Sequence, residues 1–263
     1  MRPVLHSKHF GSGPELVILH GLFGSLDNWQ SLAKKIAEEG FSVWIVDQRN
    51  HGRSFHSDTM NYTAMADDLL HFLEVNRLEK IILCGHSMGG KTAMAFSLQH
   101  PEKVRQLMVC DISPAAFEDR HHEVFDALNA IPVETLQNRE EADILLSTKG
   151  IDTSTRQFLL KNLYRDENGQ FHWRFNLPVL HAHYNDIADE IKGKPVSLPT
   201  LFIKGQLSQY INASNYPEIQ HLFPLHQLCE IPGAGHWVHA EQPELFLKSL
   251  LHFISHKQLK KTD

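Results

Sequence analysis

Short, nearly continuous apolar runs alternate along this chain with longer amphipathic segments. The runs cover residues 16–19, 43–46, 81–84, 107–110, 201–203 and 228–231. Uninterrupted apolar runs of this length are typical of strands that are covered on both faces. Because helical patterns separate them, the sequence predicts βαβ units and a mostly parallel, doubly wound sheet of the α/β class.

The segments between the runs have the spacing of amphipathic helices. Within residues 62–75, Met65, Leu69 and Phe72 fall on one face and charged residues on the other. The same reasoning predicts helices over residues 29–39, 92–98 and 243–254.

The alternation stops in the middle of the chain, between residues 113 and 194. This stretch has helical patterns at residues 124–128, 142–146, 156–163 and 179–191, together with an aromatic patch of Phe171, Trp173 and Phe175. We therefore expect residues 1–112 and 195–263 to form one core domain. Residues 113–194 are expected to form a helical cap inserted above its sheet.

Composition and charge exclude some classes of partner. The 263 residues are 42% hydrophobic and 21% charged, with a net charge of −6 and both signs mixed along the chain. Phosphate binding needs clustered Lys and Arg, so no nucleic-acid partner is expected. The one basic run, Lys257, Lys260 and Lys261, is interpreted as a solvated tail.

Cysteine usage and hydropathy bear on the compartment. Cys84, Cys110 and Cys229 are scattered in apolar runs, which gives no disulfide framework and is typical of a reducing environment. Residues 1–10 do not resemble a secretory leader, and no apolar run is long enough to span a bilayer. We expect a cytoplasmic protein.

The pentapeptide Gly85-His86-Ser87-Met88-Gly89 lies between a predicted strand and a predicted helix. This is the context of the G-x-S-x-G nucleophile turn, which exposes a serine hydroxyl above the sheet edge. The backbone N–H of Met88 then faces a developing oxyanion at a helix N-terminus. The alternative, a helix N-cap serine in a glycine-rich turn, is less consistent with this context.

A second glycine-rich loop follows the run at residues 16–19. It reads His20-Gly21-Leu22-Phe23-Gly24-Ser25. In enzymes with this nucleophile turn, such a loop supplies the second oxyanion donor, and we assign it to the backbone N–H of Leu22. A plain surface loop is the alternative.

The chain has 19 histidines, and we choose the candidate general base among them by its position relative to the predicted strands. His236 lies in Gly233-Ala234-Gly235-His236-Trp237, between the last predicted strand and the last helix. That places it at the same sheet edge as Ser87, within reach for a general base. The other histidines have no spacing typical of metal ligands, so no metal is expected.

The acid should lie between Ser87 and His236 in the chain. Its usual place follows the strand after the insertion, but residues 204–210 contain no carboxylate, and Ser208 stands where an aspartate is expected. Asp111 ends the neighbouring predicted strand at the same edge, so we assign the acid to it. A turn or N-cap aspartate is the alternative.

Asp47 is a weaker candidate for the acid. It precedes Ser87, so the chain order is wrong, and we expect it to brace the oxyanion loop, with Arg49 as a structural partner.

The combination of motifs resembles the YbfF-type esterases of the α/β-hydrolase superfamily. The resemblance spans nearly the whole chain and rests on residues 20–25, 27–29, 47–54, 85–90, 173–177, 205–210 and 233–237. It implies an α/β-hydrolase fold with a helical cap, no cofactor, and hydrolysis of a carboxylic ester or an acyl thioester such as acyl-CoA. It also favours Asp111 as the acid.

The resulting hypothesis is an acyl-enzyme on Ser87, formed with His236 and Asp111 and stabilised by the N–H groups of Leu22 and Met88. A C–C bond hydrolase or a lyase of menaquinone synthesis on the same fold, and a non-catalytic binding protein, are the alternatives.

Aromatic side chains are the candidates for holding a small-molecule substrate. They are Phe23, Trp173, Phe175 and Trp237, with Phe125 beside them. The cap aromatics could equally form the small core of the insertion.

Overall fold

The computed structural model describes residues 2–118 and 120–255. The predicted basic tail at Lys257, Lys260 and Lys261 lies outside the described residues. No helix in the described ranges is both long and apolar enough to cross a membrane.

The strands of the described chain, in order, are β1 (Ser7–Phe10), β2 (Glu15–Leu19), β3 (Ser42–Val46), β4 (Ile81–His86), β5 (Val104–Cys110), β6 (Leu163–Arg165), β7 (Phe171–Trp173), β8 (Thr200–Gly205) and β9 (His226–Ile231). The α-helices are α1 (Gln30–Glu38), α2 (Tyr62–Val75), α3 (Met88–Gln99), α4 (His122–Asn129), α5 (Arg139–Thr148), α6 (Thr153–Leu160), α7 (Leu177–Ala182), α8 (Tyr184–Ala188), α9 (Tyr216–Leu222), α10 (Val238–Glu241) and α11 (Pro243–Ser255).

Seven of the described strands form one sheet in the order β1-β3-β2-β4-β5-β8-β9. Only β1 is antiparallel to its neighbour, and the other pairs are parallel. The order reverses between β2 and β4, because the chain leaves β2 toward one side and returns to β4 on the other. In open α/β sheets, ligands bind outside the carboxyl ends of the strands at such a reversal.

The side chains of each central strand pack into two apolar cores, one on each face of the sheet, which explains the continuous apolar runs. In β2, Val17 and Leu19 pack on the side of α2 and α3, whereas Leu16 and Ile18 pack on the side of α1 and α11. Since side chains alternate between the faces of a strand, apolar residues are needed at every position. The predicted α/β hydrolase fold with a mostly parallel sheet is confirmed.

Helix α2 follows the predicted boundaries, and its first residue is determined locally. The side chain of Asn61 accepts a hydrogen bond from Ala64 N at 2.9 Å and thereby caps the first turn. The buried face carries Met65, Leu69 and Phe72. Strand β1, in contrast, was not predicted, since its sequence is polar and it pairs only with β3 at the sheet edge.

The chain between β5 and β8 contributes no described strand to the large sheet. It contains α4 to α8 and also a two-stranded antiparallel hairpin, β6–β7. The predicted helical insertion therefore also contains a short hairpin, which the sequence analysis did not predict. The hairpin turn has its own signal, since the Asp166 carboxylate accepts hydrogen bonds from Asn168 N and Gln170 N, and Gly169 has a φ of 83°.

Candidate active site

Ser87 occupies the turn between β4 and α3 with an unusual backbone conformation. Its φ is 52° and its ψ is −121°, and its N–H donates to Cys110 O on β5 at 3.0 Å. A Cβ atom on Gly85 would lie 2.1 Å from Gly89 O, so only glycine permits this close crossing of strand and helix. The turn therefore presents the serine hydroxyl at the sheet edge.

Asp111 leaves the end of the adjacent strand β5, fully buried, with a φ of 52°. Its carboxylate accepts hydrogen bonds from Gly205 N at 3.0 Å and from the Ser208 hydroxyl. Ser208 thus occupies the place where an aspartate was expected, and it donates to the aspartate of the neighbouring strand. These two donors satisfy hydrogen-bond acceptors of the buried carboxylate and fix its orientation at the sheet edge.

His236 joins the two residues. Its Nδ1 lies 2.7 Å from Asp111 Oδ2, and its Nε2 lies 3.0 Å from Ser87 Oγ. Since the carboxylate can only accept, Nδ1 carries the proton and Nε2 accepts from the serine hydroxyl. The ring of Tyr210 stacks on the imidazole with centroids 4.1 Å apart. The structure therefore brings the three residues together in one hydrogen-bonded chain.

The backbone around His236 is held from two sides. The Glu241 carboxylate accepts from Gly235 N at 2.6 Å and from Trp237 N at 3.1 Å. On the opposite side, His86 Nε2 donates to the carbonyl of His236 at 2.8 Å. These contacts fix the peptide groups on each side of the imidazole.

Three further histidines beside Ser87 are kept uncharged by burial. Desolvation lowers the pKa of His20 to about 4 and that of His239 to about 3, and it lowers the pKa of His86 well below its usual value. His239 stacks on Trp29 with centroids 4.1 Å apart. At neutral pH these imidazoles therefore add no positive charge next to Ser87.

The loop after β2 approaches the serine closely. A Cβ atom on Gly21 would lie 3.0 Å from His86 Nδ1 and 3.2 Å from Ser87 Cβ, so a larger residue would have to displace these side chains. Among the described residues, the N–H groups of Leu22 and Met88 have no protein acceptor. Leu22 follows Gly21, the residue that approaches Ser87, and Met88 follows Ser87 itself. This is the placement that the predicted pair of oxyanion donors needs.

A cavity opens above Ser87, with about 540 Å³ of empty space including its open part. Of the predicted aromatics, Phe23 and Trp237 line it, and from the insertion His121, Val124, Thr155, Phe158 and Leu159 do so as well. Trp173 and Phe175 are not among its lining residues. They stack on each other with centroids 5.2 Å apart. Phe175 and Phe125 are buried in the apolar core that the insertion shares with the α2 and α3 side of the sheet, and Trp173 packs against that core.

Asp47 braces the loops at the ends of β2 and β3. Its carboxylate accepts from Leu26 N at 2.7 Å and from Arg53 N at 2.9 Å. Arg49 does not partner it and instead donates to Asp68 Oδ2 at 2.6 Å. Asp47 has no described contact with His236.

Residues 14–243 match the family model described as alpha/beta hydrolase fold. The chain belongs to this family. A sn-1-specific diacylglycerol lipase ABHD11 of Xenopus tropicalis is 43% identical over 251 residues, which cover 92% of this chain and 78% of the relative. Esterase YbfF of Escherichia coli is 37% identical over 241 residues, covering 91% of this chain and 92% of the relative.

A solved structure described as a marine microorganism esterase superposes on this hydrolase with a TM-score of 0.93. It is 43% identical, and the match covers 95% of this chain and 99% of that one. The predicted resemblance to YbfF-type esterases is thus confirmed, and the hydrolase stands among enzymes named as esterases and lipases.

The hydrolase also has a larger open groove, with about 1790 Å³ of empty space, at the opposite, amino edge of the sheet. It is lined by residues such as Lys80 and Val104 at the starts of β4 and β5. None of the residues of the hydrogen-bonded chain reaches it, so size alone does not identify the site.

Several residues of the site had no prediction from sequence. His86 lies within the nucleophile motif and His239 three residues after His236, so proximity to the motifs was an available signal. Glu241 and Phe158 had no such signal in the sequence. The role of Glu241 depends on how its carboxylate folds back on the loop around His236, and that of Phe158 depends on where the insertion packs.

Proposed function

We propose that this hydrolase cleaves carboxylic esters through an acyl-enzyme on Ser87. The single observation that supports this most strongly is the chain of hydrogen bonds from Asp111 through His236 to Ser87, which opens into the cavity. A serine is activated in this way when a base accepts its proton and a buried carboxylate stabilises the resulting imidazolium.

In the proposed first step, Ser87 Oγ attacks the acyl carbonyl carbon while His236 Nε2 takes the hydroxyl proton. The N–H groups of Leu22 and Met88 donate to the oxygen that becomes negative. The tetrahedral intermediate expels the alcohol, which receives the proton from His236. Water then repeats the sequence on the acyl-enzyme and releases a carboxylic acid.

The proposed substrate class includes acyl thioesters such as acyl-CoA, because the same steps expel a thiol. The names of the relatives add a diacylglycerol as a candidate. A panel of p-nitrophenyl butyrate, butyryl-CoA, a diacylglycerol and a vinylogous diketone separates these classes. We expect turnover of the oxygen ester. Turnover of the diketone alone would instead identify a C–C bond hydrolase.

Replacement of the nucleophile gives the largest expected effect. In Ser87→Ala, turnover of p-nitrophenyl butyrate should fall by about 10⁴-fold or more, because no acyl-enzyme can form. Circular dichroism should show an unchanged fold. A fluorophosphonate probe should label the wild type at Ser87 and leave the variant unlabelled. Wild-type turnover in the variant would refute the proposal.

A further inference from the structure

The turn that carries Leu22 contains a strained aromatic residue. Gly24 N donates to Gly21 O at 3.0 Å, so Leu22 and Phe23 occupy the two central positions of the turn. Phe23 has a φ of 57°. A positive φ at the second central position usually selects glycine or asparagine. Something outside the turn must therefore hold a phenylalanine there.

Both backbone groups of Phe23 are bound by side chains. Its N–H donates to His51 Nε2 at 3.2 Å, and its carbonyl accepts from Asn162 Nδ2 at 2.7 Å. His51 belongs to the loop after β3, whereas Asn162 lies in the insertion between α6 and β6. The insertion thus contributes one of the two hydrogen bonds that fix this residue.

The ring of Phe23 is held by the insertion as well. It meets the ring of Phe125 with centroids 5.0 Å apart and the ring of Phe175 with centroids 5.2 Å apart. Edge-on and tilted contacts at these distances are favourable. A glycine would relieve the backbone strain but would remove this anchor.

Asn162 is well placed to act as a rigid contact. It is only 2% exposed. Its own N–H donates to Leu159 O at 2.9 Å, and its carbonyl accepts from Arg174 N at 2.9 Å. Because its backbone is tied to both α6 and the β6–β7 hairpin, its side chain follows the position of the insertion.

We propose that Asn162 is a positioning residue for the oxyanion hole. It holds Phe23, and through it the adjacent Leu22 N–H, in the orientation that receives the developing negative charge. The cap then contributes to the chemical step as well as to enclosing the cavity. This inference rests on the proposed function, in which Leu22 is an oxyanion donor.

An oxyanion donor acts mainly in the transition state. Its misalignment should therefore lower kcat and leave KM nearly unchanged, because the ground-state ester binds it only weakly. A loosened cap, by comparison, would alter KM and thermal stability together.

The test compares Asn162→Leu with Tyr62→Phe. Each removes one buried donor to a backbone carbonyl across the boundary between cap and core, since Tyr62 Oη donates to Ile187 O at 2.6 Å. For Asn162→Leu we expect kcat on p-nitrophenyl butyrate to fall about tenfold with KM within about twofold. Inhibition by a trifluoromethyl ketone, which forms a tetrahedral adduct, should weaken by the same factor. Tyr62→Phe should lower Tm by a similar amount. It should change neither kcat nor the inhibition constant of the ketone by more than about twofold.

Equal kcat and equal ketone affinity in the two variants would overturn the proposal, as would a fall in kcat without weaker ketone inhibition. If Asn162→Leu does not fold, Asn162→Ser is measured against the same criteria. A wild type that hydrolyses no ester would refute the proposed function itself. An active wild type with Asn162→Leu equal to its control refutes only the role of Asn162.

Discussion

The sheet edge that carries the site and the cap that covers it are assembled by different kinds of contact. At the edge, backbone bonds between neighbouring strands place the residues: Ser87 N donates to Cys110 O, and Asp111 N donates to Ile203 O. The positions of the side chains then follow from strand register. Sequence patterns encode register directly, because one slip would move every side chain to the other face.

The cap is attached through side chains that reach distant backbone carbonyls. Lys91 on α3 is fully buried, and its Nζ donates to Ala115 O at 2.8 Å, Asp189 O at 2.5 Å and Pro114 O at 3.4 Å. These carbonyls lie where the chain enters and leaves the insertion. Such contacts link residues far apart in sequence and leave no local pattern, so the attachment of a cap is far harder to predict than an active-site edge.

If this comparison is correct, substitutions at the edge should change the rate, and those in the cap, apart from the proposed positioning residue Asn162, should change stability or binding. Apart from Ser87→Ala, the largest effect is expected for Asp111→Asn, which should lower kcat about 10⁴-fold, because the amide no longer holds His236 in the required tautomer. The measurement is turnover of p-nitrophenyl butyrate at saturating substrate. Circular dichroism verifies the fold.

Asp47→Asn is the matched control for that prediction. It loses acceptor contacts to Leu26 N and Arg53 N, so we expect a lower Tm with less than about a tenfold loss of rate. If Asp47→Asn were the slower enzyme, the assignment of the acid to Asp111 would be wrong.

A change of intermediate size is expected for the cap attachment in Lys91→Met. Burial lowers the pKa of Lys91 to about 7, against an ordinary value of 10.5. Between these two values the unfolded chain binds more protons than the folded one, so the folded wild type gains relative stability as pH rises. Methionine has no such dependence. The free energy of unfolding of the wild type, relative to the variant, should therefore increase by about 2 kcal/mol from pH 7 to pH 9.

Denaturant unfolding of both proteins at the two pH values measures that difference. Lys91 faces Asp189 and Glu190, whose negative charges oppose the shift, and the ring of Phe117 lies 5.2 Å from its Nζ. A constant difference between the proteins would mean that Lys91 keeps its proton throughout this range.

The smallest effect is expected inside the cap itself. Phe158 lines the cavity, so Phe158→Ala should raise KM by about fivefold through lost apolar contact and leave kcat nearly unchanged. Trp173→Ala, which alters a residue packed behind the cavity, should lower Tm and leave KM within about twofold. Michaelis profiles and thermal melts of both variants test the distinction, and equal KM changes would contradict it.

The sequence was most informative where physical constraints are local. Glycine spacing and strand runs predicted the positions of Ser87 and His236, and the absent carboxylate near residue 208 pointed to Asp111. The family and fold are confirmed, while the catalytic assignments remain predictions with a consistent geometry. The donation from Ser208 to Asp111 was not foreseeable, because it depends on the turn after β8, in which Ser208 N donates to Gly205 O.

In the cap, hydrophobic periodicity predicted helices but not their packing. Sequence alone could not decide which of Phe158, Trp173 and Phe175 line the cavity and which pack in the apolar core, since all three are large aromatic residues of the insertion. Only the docking of the insertion on Phe23 and neighbouring loops decides which faces point into the cavity.

The double support of the loop around His236 has a consequence for the timing of events. With Glu241 bound to its flanking amides and His86 to its carbonyl, the imidazole needs little reorganisation when a substrate arrives. The conformational entropy of the proposed base is lost when the protein folds. Binding of an ester therefore does not have to order the imidazole again. Each catalytic cycle would then begin with the proton acceptor already in place.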